Sequence, residues 1–210
     1  MITSNVLEEA NSVAEKIAIF NQEDKNPYQE IAKKILNKEI KHVVTLARGT
    51  SDCAALYASY LFAKSLGLTT FSLPPSLITL ENSHFDFSKT LVIVISQSGL
   101  SADLVKCEQA SRKMGAETII LTNNPNSQII NNADYFFNIN AGNENSVAAT
   151  KTFILSLLTI IKLVACIKND IEILNNISKL PEHIHNEFFQ SWDPEIIDKN
   201  ISNGYIISRG

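Results

Sequence analysis

The sequence is poor in cysteine and carries no excess of positive charge, and both shortages exclude classes of protein. Its 210 residues contain three cysteines, Cys53, Cys107 and Cys166, which are widely spaced and form no C-x-x-C pair. Neither a disulfide framework nor a thiolate metal site is therefore expected. Eighteen basic residues against 22 acidic residues give a formal net charge of −4. We expect no nucleic-acid partner, because such surfaces need clustered Lys and Arg to neutralise phosphates.

The sequence also lacks the apolar runs of membrane spans and secretory leaders. Its longest apolar stretch, residues 153–167, has 15 residues and contains Lys162, whereas a bilayer span needs roughly 20 residues. An acidic pair, Glu8 and Glu9, lies where a signal peptide would be apolar. We expect a cytoplasmic protein with no membrane partner. Its 45% hydrophobic content is enough to bury one full core.

Short apolar segments alternate with segments of helical periodicity through the middle of the chain. Residues 91–95 are apolar throughout, which is typical of a parallel strand covered on both faces. The alternation predicts an α/β fold, a three-layer sandwich with helices on both faces of a five-stranded parallel sheet. The order is expected to be flavodoxin-like, 2-1-3-4-5. The predicted strands are residues 42–47, 69–73, 91–95, 117–121 and 135–139.

The flanking regions are predicted to be helical. A long helix is expected from about residue 146 to 167, and the segment after it has a predicted break at Pro181. Residues 205–210 resemble residues 44–49, since both read as an apolar strand followed by Arg-Gly. We therefore expect the chain to be part of a longer protein. The predicted units are N-terminal helices (1–38), the α/β domain (39–168), a helical connector (169–203) and the start of a second domain (204–210).

Two loops rich in glycine and hydroxyl groups follow the first and third predicted strands, at residues 48–51 and 96–101. In the order 2-1-3-4-5, the carboxyl ends of these strands flank the point where the strand order reverses, which is where ligands bind. Each loop opens a helix, whose free N–H groups and positive dipole end favour a phosphate. Gly49 and Gly99 allow close backbone approach. The alternative is that both loops are ordinary helix caps and turns.

A third polar segment, residues 140–152, follows the fifth strand and leads into the long helix. Glu144 is a candidate to accept sugar hydroxyls or to act as a general acid or base, and Lys151 is a candidate to balance a phosphate. The alternative is that Asn145 or Ser146 caps the helix while Lys151 lies on its solvated face.

Together these segments resemble the sugar isomerase (SIS) domain. The resemblance covers roughly residues 40–167 and rests on three motifs: Arg-Gly-Thr-Ser at 48–51, Val-Ile-Val-Ile-Ser-Gln-Ser-Gly at 92–99, and Ala-Gly-Asn-Glu-Asn-Ser-Val-Ala-Ala-Thr-Lys-Thr-Phe at 141–153. Within the family, the chain is most similar to the isomerase half of glucosamine-6-phosphate synthase and its glutaminase-lacking relatives, such as isomerising glucosamine-6-phosphate deaminases.

The resemblance implies a site for a sugar phosphate. Residues in the two hydroxyl-rich loops would hold the phosphate, and two residues of the third loop would approach the sugar through their backbone. No metal or redox cofactor is implied, and a homodimer is expected through residues 153–167 or the N-terminal helices. The implied phosphate-binding residues are Thr50, Ser51, Ser96, Gln97, Ser98 and Ser101, with Gly49 and Gly99 beside them, and the implied sugar-binding residues are Val147 and Ala149.

The resemblance also implies an activity. The chain is expected to be the first half of an aldose–ketose isomerase or isomerising deaminase acting on glucosamine 6-phosphate or fructose 6-phosphate, by proton transfer between C1 and C2. In the family, the Glu, His and Lys that move the proton come mainly from a second domain and a neighbouring subunit, and nothing in this sequence matches that set. By itself the chain is expected to bind without turnover. The alternative is a non-catalytic sensor of sugar phosphates.

Three positions depart from the synthase pattern. Arg48 stands where the synthase has cysteine, so the electrostatics of the phosphate site are expected to differ. Leu100 and Ser101 stand where the synthase has Glu-Thr, which is closer to the deaminase-like branch. Ile2 follows Met1 where a glutaminase would need a cysteine nucleophile, so we expect no glutamine hydrolysis by this chain.

Overall fold

The computed structural model describes residues 8–22, 26–37, 39–146 and 149–188. Their framework is a sheet of five parallel strands in the order β2-β1-β3-β4-β5, which confirms the predicted fold class and strand order. The central strand β3 is buried along its whole length, as its apolar sequence predicts. The strands are β1 (His42–Ala47), β2 (Thr69–Ser72), β3 (Thr90–Ile95), β4 (Glu117–Thr122) and β5 (Tyr135–Asn138).

Helices cover both faces of this sheet. Among the helices of the described residues that are named below, five lie on one face, where α6 packs against α2 and α3, and α1 packs against α7. Two more, α4 and α5, contact each other on the opposite face together with a short 3-10 helix at Gln128–Ile130. The helices are α1 (Val13–Phe20), α2 (Asn26–Leu36), α3 (Thr50–Leu66), α4 (Pro75–Thr79), α5 (Ala102–Lys113), α6 (Lys151–Lys168) and α7 (Ile171–Phe188).

Alternation along the strands divides the core into two apolar layers. Val43 and Ile93 belong to the layer beneath the five helices, whereas their neighbours Val44 and Val92 belong to the layer beneath α4 and α5. These four side chains are at most 1% exposed. Burying an aliphatic side chain of this size contributes about 1.5–3 kcal/mol. The two layers therefore hold the sheet rigidly, and the loops at its carboxyl edge start from fixed positions.

The predicted break at Pro181 is wrong, because α7 continues through this proline. A proline has no N–H to donate to the carbonyl four residues earlier, which here belongs to Ile177. The side chain of Asn21, at the end of α1, donates to that carbonyl instead, with 3.3 Å between Nδ2 and O. The unpaired carbonyl is thus satisfied by a neighbouring helix, and the helix has no need to end.

The predictions for the two ends of the chain have different outcomes. The N-terminal helical segment is interrupted at Ser12, whose hydroxyl donates to the Glu9 carbonyl at 2.8 Å and competes with the helical pattern. The end of the predicted connector and the predicted start of a second domain, residues 189–210, lie outside the described residues. Within the described ranges, no helix is both long and apolar enough to cross a bilayer.

Candidate functional site

The two hydroxyl-rich loops lie side by side because of the strand register. Ala47, the last residue of β1, is paired with Ile95, the last residue of β3, and adjacent strands lie about 4.8 Å apart. The loops leave these paired positions and open α3 and α5 respectively. Between them lies a cleft of about 230 Å³. It is lined by Arg48, Thr50, Ser51, Ile95, Ser96, Gln97, Ser98, Ser101, Leu104 and Ala149.

This cleft brings together all six implied phosphate-binding side chains and one of the two implied sugar-binding residues, Ala149. Gly49 and Gly99 lie in the loops themselves. Both have positive φ, +59° and +63° respectively, a backbone conformation that favours glycine. Val147 lies outside the described residues. Glu144 does not line the cleft.

The serine hydroxyls of the second loop are oriented by the loop's own backbone. Ser96 Oγ accepts from the Gly99 amide and Ser98 Oγ accepts from the Leu100 amide, each at 3.2 Å. A hydroxyl that accepts a hydrogen bond still has its O–H to donate to an anion. Ser101 precedes α5 but makes no side-chain capping bond to it. The alternative that these residues are only caps and turns therefore accounts for the turn geometry and leaves the Ser101 hydroxyl unexplained.

Residues that sequence reasoning missed hold the second loop in place. Thr122 Oγ1 and the Asn123 amide both donate to the Gln97 carbonyl, at 3.2 and 3.0 Å, and Asn124 Nδ2 donates to the Ser98 carbonyl at 3.1 Å. The loop carbonyls are thus bound to the end of β4. The available signal was the abrupt change from the apolar strand to Thr-Asn-Asn at 122–124.

The third loop is attached to the same point by Asn123. Its Oδ1 accepts from the Ala141 amide and its Nδ2 donates to the Gly142 carbonyl, both at 2.7 Å. One asparagine therefore binds the second loop through its backbone and the third loop through its side chain. Ala149, near the end of the same segment, forms part of the cleft wall.

Glu9, in the N-terminal helical segment, also holds the third loop. Its Oε1 accepts from the Asn145 amide at 2.7 Å. This hydrogen bond stabilises the charged form and lowers the pKa of the Glu9 carboxyl below its usual value. The contact joins residues that are 136 positions apart in the sequence.

Glu144 caps α6, which explains why this helix begins at Lys151 rather than near residue 146. Its Oε1 accepts from the amides of Thr150 and Thr152 at 3.0 and 3.3 Å, and its Oε2 accepts from the Thr152 hydroxyl. A carboxylate at a helix N-terminus satisfies free N–H groups and the helix dipole. Oε1 acts in this way, and Oε2 is used by the Thr152 hydroxyl. Catalysis by Glu144 stays a prediction, without support from this geometry.

The alternative interpretation, in which Lys151 lies on the solvated face of the helix, is wrong. The Lys151 side chain is not solvated: the residue is only 5% exposed, and its Nζ donates to the Asn143 carbonyl at 2.7 Å. Burial of a lysine requires such a partner. Lys151 therefore stabilises the loop that leads into α6, and it does not line the cleft.

Arg48, which lines the cleft, is paired with a carboxylate in the first turn of α5. Arg48 Nη1 donates to Asp103 Oδ2 at 2.9 Å, which joins the first loop to the first turn of α5. Four residues further along α5, burial and the Asp103 charge raise the pKa of the Cys107 thiol to about 11. This cysteine is neutral at pH 7 and unsuited to act as a nucleophile.

A comparison with protein families identifies the class to which this fold and cleft belong. The family model of the SIS domain matches residues 35–165. The chain therefore belongs to the SIS domain family, as its three sequence motifs predicted.

Individual relatives agree with this membership. The chain is 34% identical over 131 residues to the glutamine–fructose-6-phosphate aminotransferase (isomerizing) of Shewanella oneidensis, a match that covers 62% of this chain and 21% of the relative. Among solved structures, a protein from Silicibacter pomeroyi assigned as a phosphosugar isomerase superimposes with a TM-score of 0.83 at 30% identity, covering 90% of this chain and 57% of that one.

A more distant structure shares the fold alone. The glucosamine-6-phosphate deaminase of Thermotoga maritima has a TM-score of 0.60 at 20% identity, with 81% of this chain and 54% of that chain covered. The chain thus spans about a fifth of the curated relative's length and just over half of each solved chain.

Proposed function

We propose that the cleft binds the phosphate group of a phosphorylated sugar. The observation that carries the proposal is the placement of two hydroxyl-rich loops at the paired residues Ala47 and Ile95, each opening a helix. Serine and threonine hydroxyls, backbone N–H groups and two positive helix ends then converge on one cleft. Membership of the SIS family and the phosphosugar names of its relatives support a sugar as the rest of the ligand.

We further propose that the chain is the phosphate-binding half of an aldose–ketose isomerase or isomerising deaminase acting on glucosamine 6-phosphate or fructose 6-phosphate. The name of the aminotransferase relative supports this substrate class. The loops would fix the phosphate so that C1 and C2 of the sugar are presented to general acid–base groups. Those groups would come from a second domain or a neighbouring subunit.

The test is calorimetric titration with fructose 6-phosphate and glucosamine 6-phosphate. Fructose, which lacks the phosphate group, is the control ligand. Changing Ser96 and Ser98 together to Ala removes two hydroxyl donors and should abolish detectable binding of both sugar phosphates. Ser88→Ala with Ser178→Ala is the matched control, because both serines are exposed and lie away from the cleft lining. Unchanged affinity in the Ser96/Ser98 double variant would sink the proposal.

A second candidate is a non-catalytic sensor of sugar phosphates. The observation that favours it is that no carboxylate, imidazole or amine lines the cleft among the described residues. A cleft of this composition can bind a ligand but offers no group for proton transfer. An isomerisation assay that couples formation of glucose 6-phosphate to a dehydrogenase separates the two candidates, since only the enzyme half gains activity when joined to an acid–base domain.

Homodimer formation and a cytoplasmic location stay part of the proposal. The helix α6, which contains residues 153–167, packs against α2, α3 and α7 and is largely buried within the chain. Little of it is left for a partner, which makes the N-terminal helices the better candidate for a surface between two copies.

A further inference from the structure

Arg48 is the one residue with a full charge among the described residues that line the cleft. The other polar side chains there are neutral hydroxyls and one amide. Neutral donors bind a phosphate by hydrogen bonds, but they distinguish poorly between a doubly charged phosphate and another group of similar shape. A cation at the same cleft adds that distinction, because Coulomb attraction grows with the charge of the ligand.

The partner of Arg48 has an effect of its own on an anion in the cleft. Asp103 lies in the first turn of α5, two residues after the cleft-lining Ser101. A carboxylate there suits the helix dipole but repels a phosphate bound at the same helix end. The guanidinium of Arg48, 2.9 Å away, offsets that charge. Without Arg48, the second loop would present its donors beside an uncompensated negative charge.

The geometry of the pair leaves the guanidinium able to bind a second anion. The contact uses Nη1, whereas a guanidinium carries five N–H donors in a planar fork. The Arg48 side chain is 66% exposed and that of Asp103 is 26% exposed, so the attraction between them is screened by water and weak. A phosphate that enters the cleft meets a cation that is already at its mouth and is not committed to a buried partner.

We propose that Arg48 is a specificity-determining residue, which donates to the phosphate group of the ligand while Asp103 holds its guanidinium across the mouth of the cleft. The inference rests on the proposed function and deepens it. It assigns phosphate affinity to two sources: the hydroxyl loops supply shape and hydrogen bonds, and Arg48 supplies charge. Selection of phosphorylated over neutral sugars then depends in part on one arginine on the first loop.

The test is calorimetric titration of the chain with inorganic phosphate and with fructose 6-phosphate. Arg48→Ala removes a charge-assisted hydrogen bond and should weaken the binding of both ligands by roughly tenfold to a hundredfold. Arg48→Lys keeps the charge but loses the planar fork, so its affinity should fall between those of the wild type and the alanine variant. Because Arg48 is mostly exposed, these variants should fold, which circular dichroism would verify.

A matched control lies at the other end of α5, the helix that carries Asp103. Arg112 Nη1 pairs with Asp134 Oδ1 at 3.0 Å, and this pair does not line the cleft. Arg112→Ala should leave the affinity for inorganic phosphate unchanged. An equal loss of affinity in both alanine variants would overturn the inference, because it would assign the effect to the loss of an ion pair in general.

A double-mutant cycle tests the part assigned to Asp103. In the Arg48→Ala background, Asp103→Asn removes the uncompensated charge and should recover part of the lost phosphate affinity. In the wild type, the asparagine amide oxygen can still accept from Arg48, so the same change should have a smaller effect. A further loss of affinity in the double variant would overturn the charge argument.

The serine variants separate failure of this inference from failure of the proposed function. If the Ser96/Ser98 double variant loses phosphate binding while Arg48→Ala keeps full affinity, the cleft binds phosphate without Arg48, and only this inference fails. If the wild-type chain binds neither inorganic phosphate nor fructose 6-phosphate, the proposed function fails and the inference fails with it.

Discussion

The two loops that form the cleft are alike in sequence and different in how the structure holds them. Each follows an apolar strand with glycine and hydroxyl residues and opens a helix. A Cβ atom at Gly99 would lie 2.6 Å from Ser127 Cβ and 3.0 Å from Thr122 Oγ1, whereas a Cβ at Gly49 would have nothing within 4 Å. The second loop is packed against the end of β4. The first is open to solvent at Gly49 and is joined to the start of α5 by the Arg48–Asp103 pair.

The difference indicates two kinds of preorganisation. Hydrogen bonds from Thr122, Asn123 and Asn124 fix the second loop before a ligand arrives, which reduces the entropy that binding must cost. The contact that joins the first loop to α5 is a partly exposed ion pair, which contributes little to stability and can adjust to the ligand. We therefore expect substitutions in the second loop to affect folding and binding together, and substitutions in the first loop to affect mainly binding.

The largest effect should come from exchanging the two glycines for alanine. Gly99→Ala adds a steric clash with Ser127 to the strain of positive φ and should lower the free energy of unfolding by about 3 kcal/mol. Gly49→Ala has the strain without the clash and should cost about 1–2 kcal/mol. Urea denaturation followed by circular dichroism measures both values. Equal losses of unfolding free energy in the two variants would contradict the view that the second loop is packed more tightly than the first.

A smaller effect is expected from Asn123→Ala, which breaks the connection between the second and third loops. The change leaves the Ala141 amide and the Gly142 carbonyl without their partner and should cost about 1–3 kcal/mol of stability. It should also weaken the binding of sugar phosphates, because Ala149 in the cleft wall belongs to the third loop, which the substitution detaches from Asn123.

Asn126→Ala provides the matched control for this prediction. Asn126 is exposed, and the contact it makes to Asn124 uses its backbone amide, which the substitution keeps. Hydrogen exchange of the third loop should accelerate in Asn123→Ala alone. The same exchange rates in both variants would show that Asn123 does not hold this loop.

The order of the sheet and the two hydroxyl loops could be predicted because both depend on local patterns. Residues 91–95 are apolar throughout, which marks a central strand, and the alternation with helices fixes parallel pairing. Once β1 and β3 are neighbours, the loops at 48–51 and 96–101 must meet at one edge. The three family motifs lie on these same loops.

The connections between the loops could not be predicted, because they join residues that local patterns do not relate. Asn123 contacts the third loop 18 and 19 positions later, and nothing in an Asn-rich segment distinguishes an anchor from a turn. Glu144 caps α6 from six positions before Thr150, which is outside the spacing of ordinary N-caps. The break predicted at Pro181 is wrong for the same reason, since the partner of the Ile177 carbonyl lies at the end of another helix.

The smallest expected effect concerns Glu9, which extends the comparison to the third loop. The second loop is held by neutral hydrogen bonds, whereas the third is held in part by a carboxylate and should therefore respond to pH. Glu9→Gln keeps an acceptor for the Asn145 amide but loses its charge, so at pH 7 it should lower the free energy of unfolding by at most about 1 kcal/mol. The exposed Glu8→Gln removes the same charge from the same segment and is the matched control.

The sign of the pH dependence follows from the lowered pKa of Glu9 in the folded protein. Folding favours the ionised carboxyl, so the stability from this contact is fully present above the unfolded-state pKa of about 4.3. It is lost as the pH falls through the lower folded-state pKa. The difference between the wild type and Glu9→Gln should therefore persist at pH 5–7 and vanish in more acidic solution. A difference that stays constant down to the acid transition, or one matched by Glu8→Gln, would mean that the Glu9 charge does not hold the third loop.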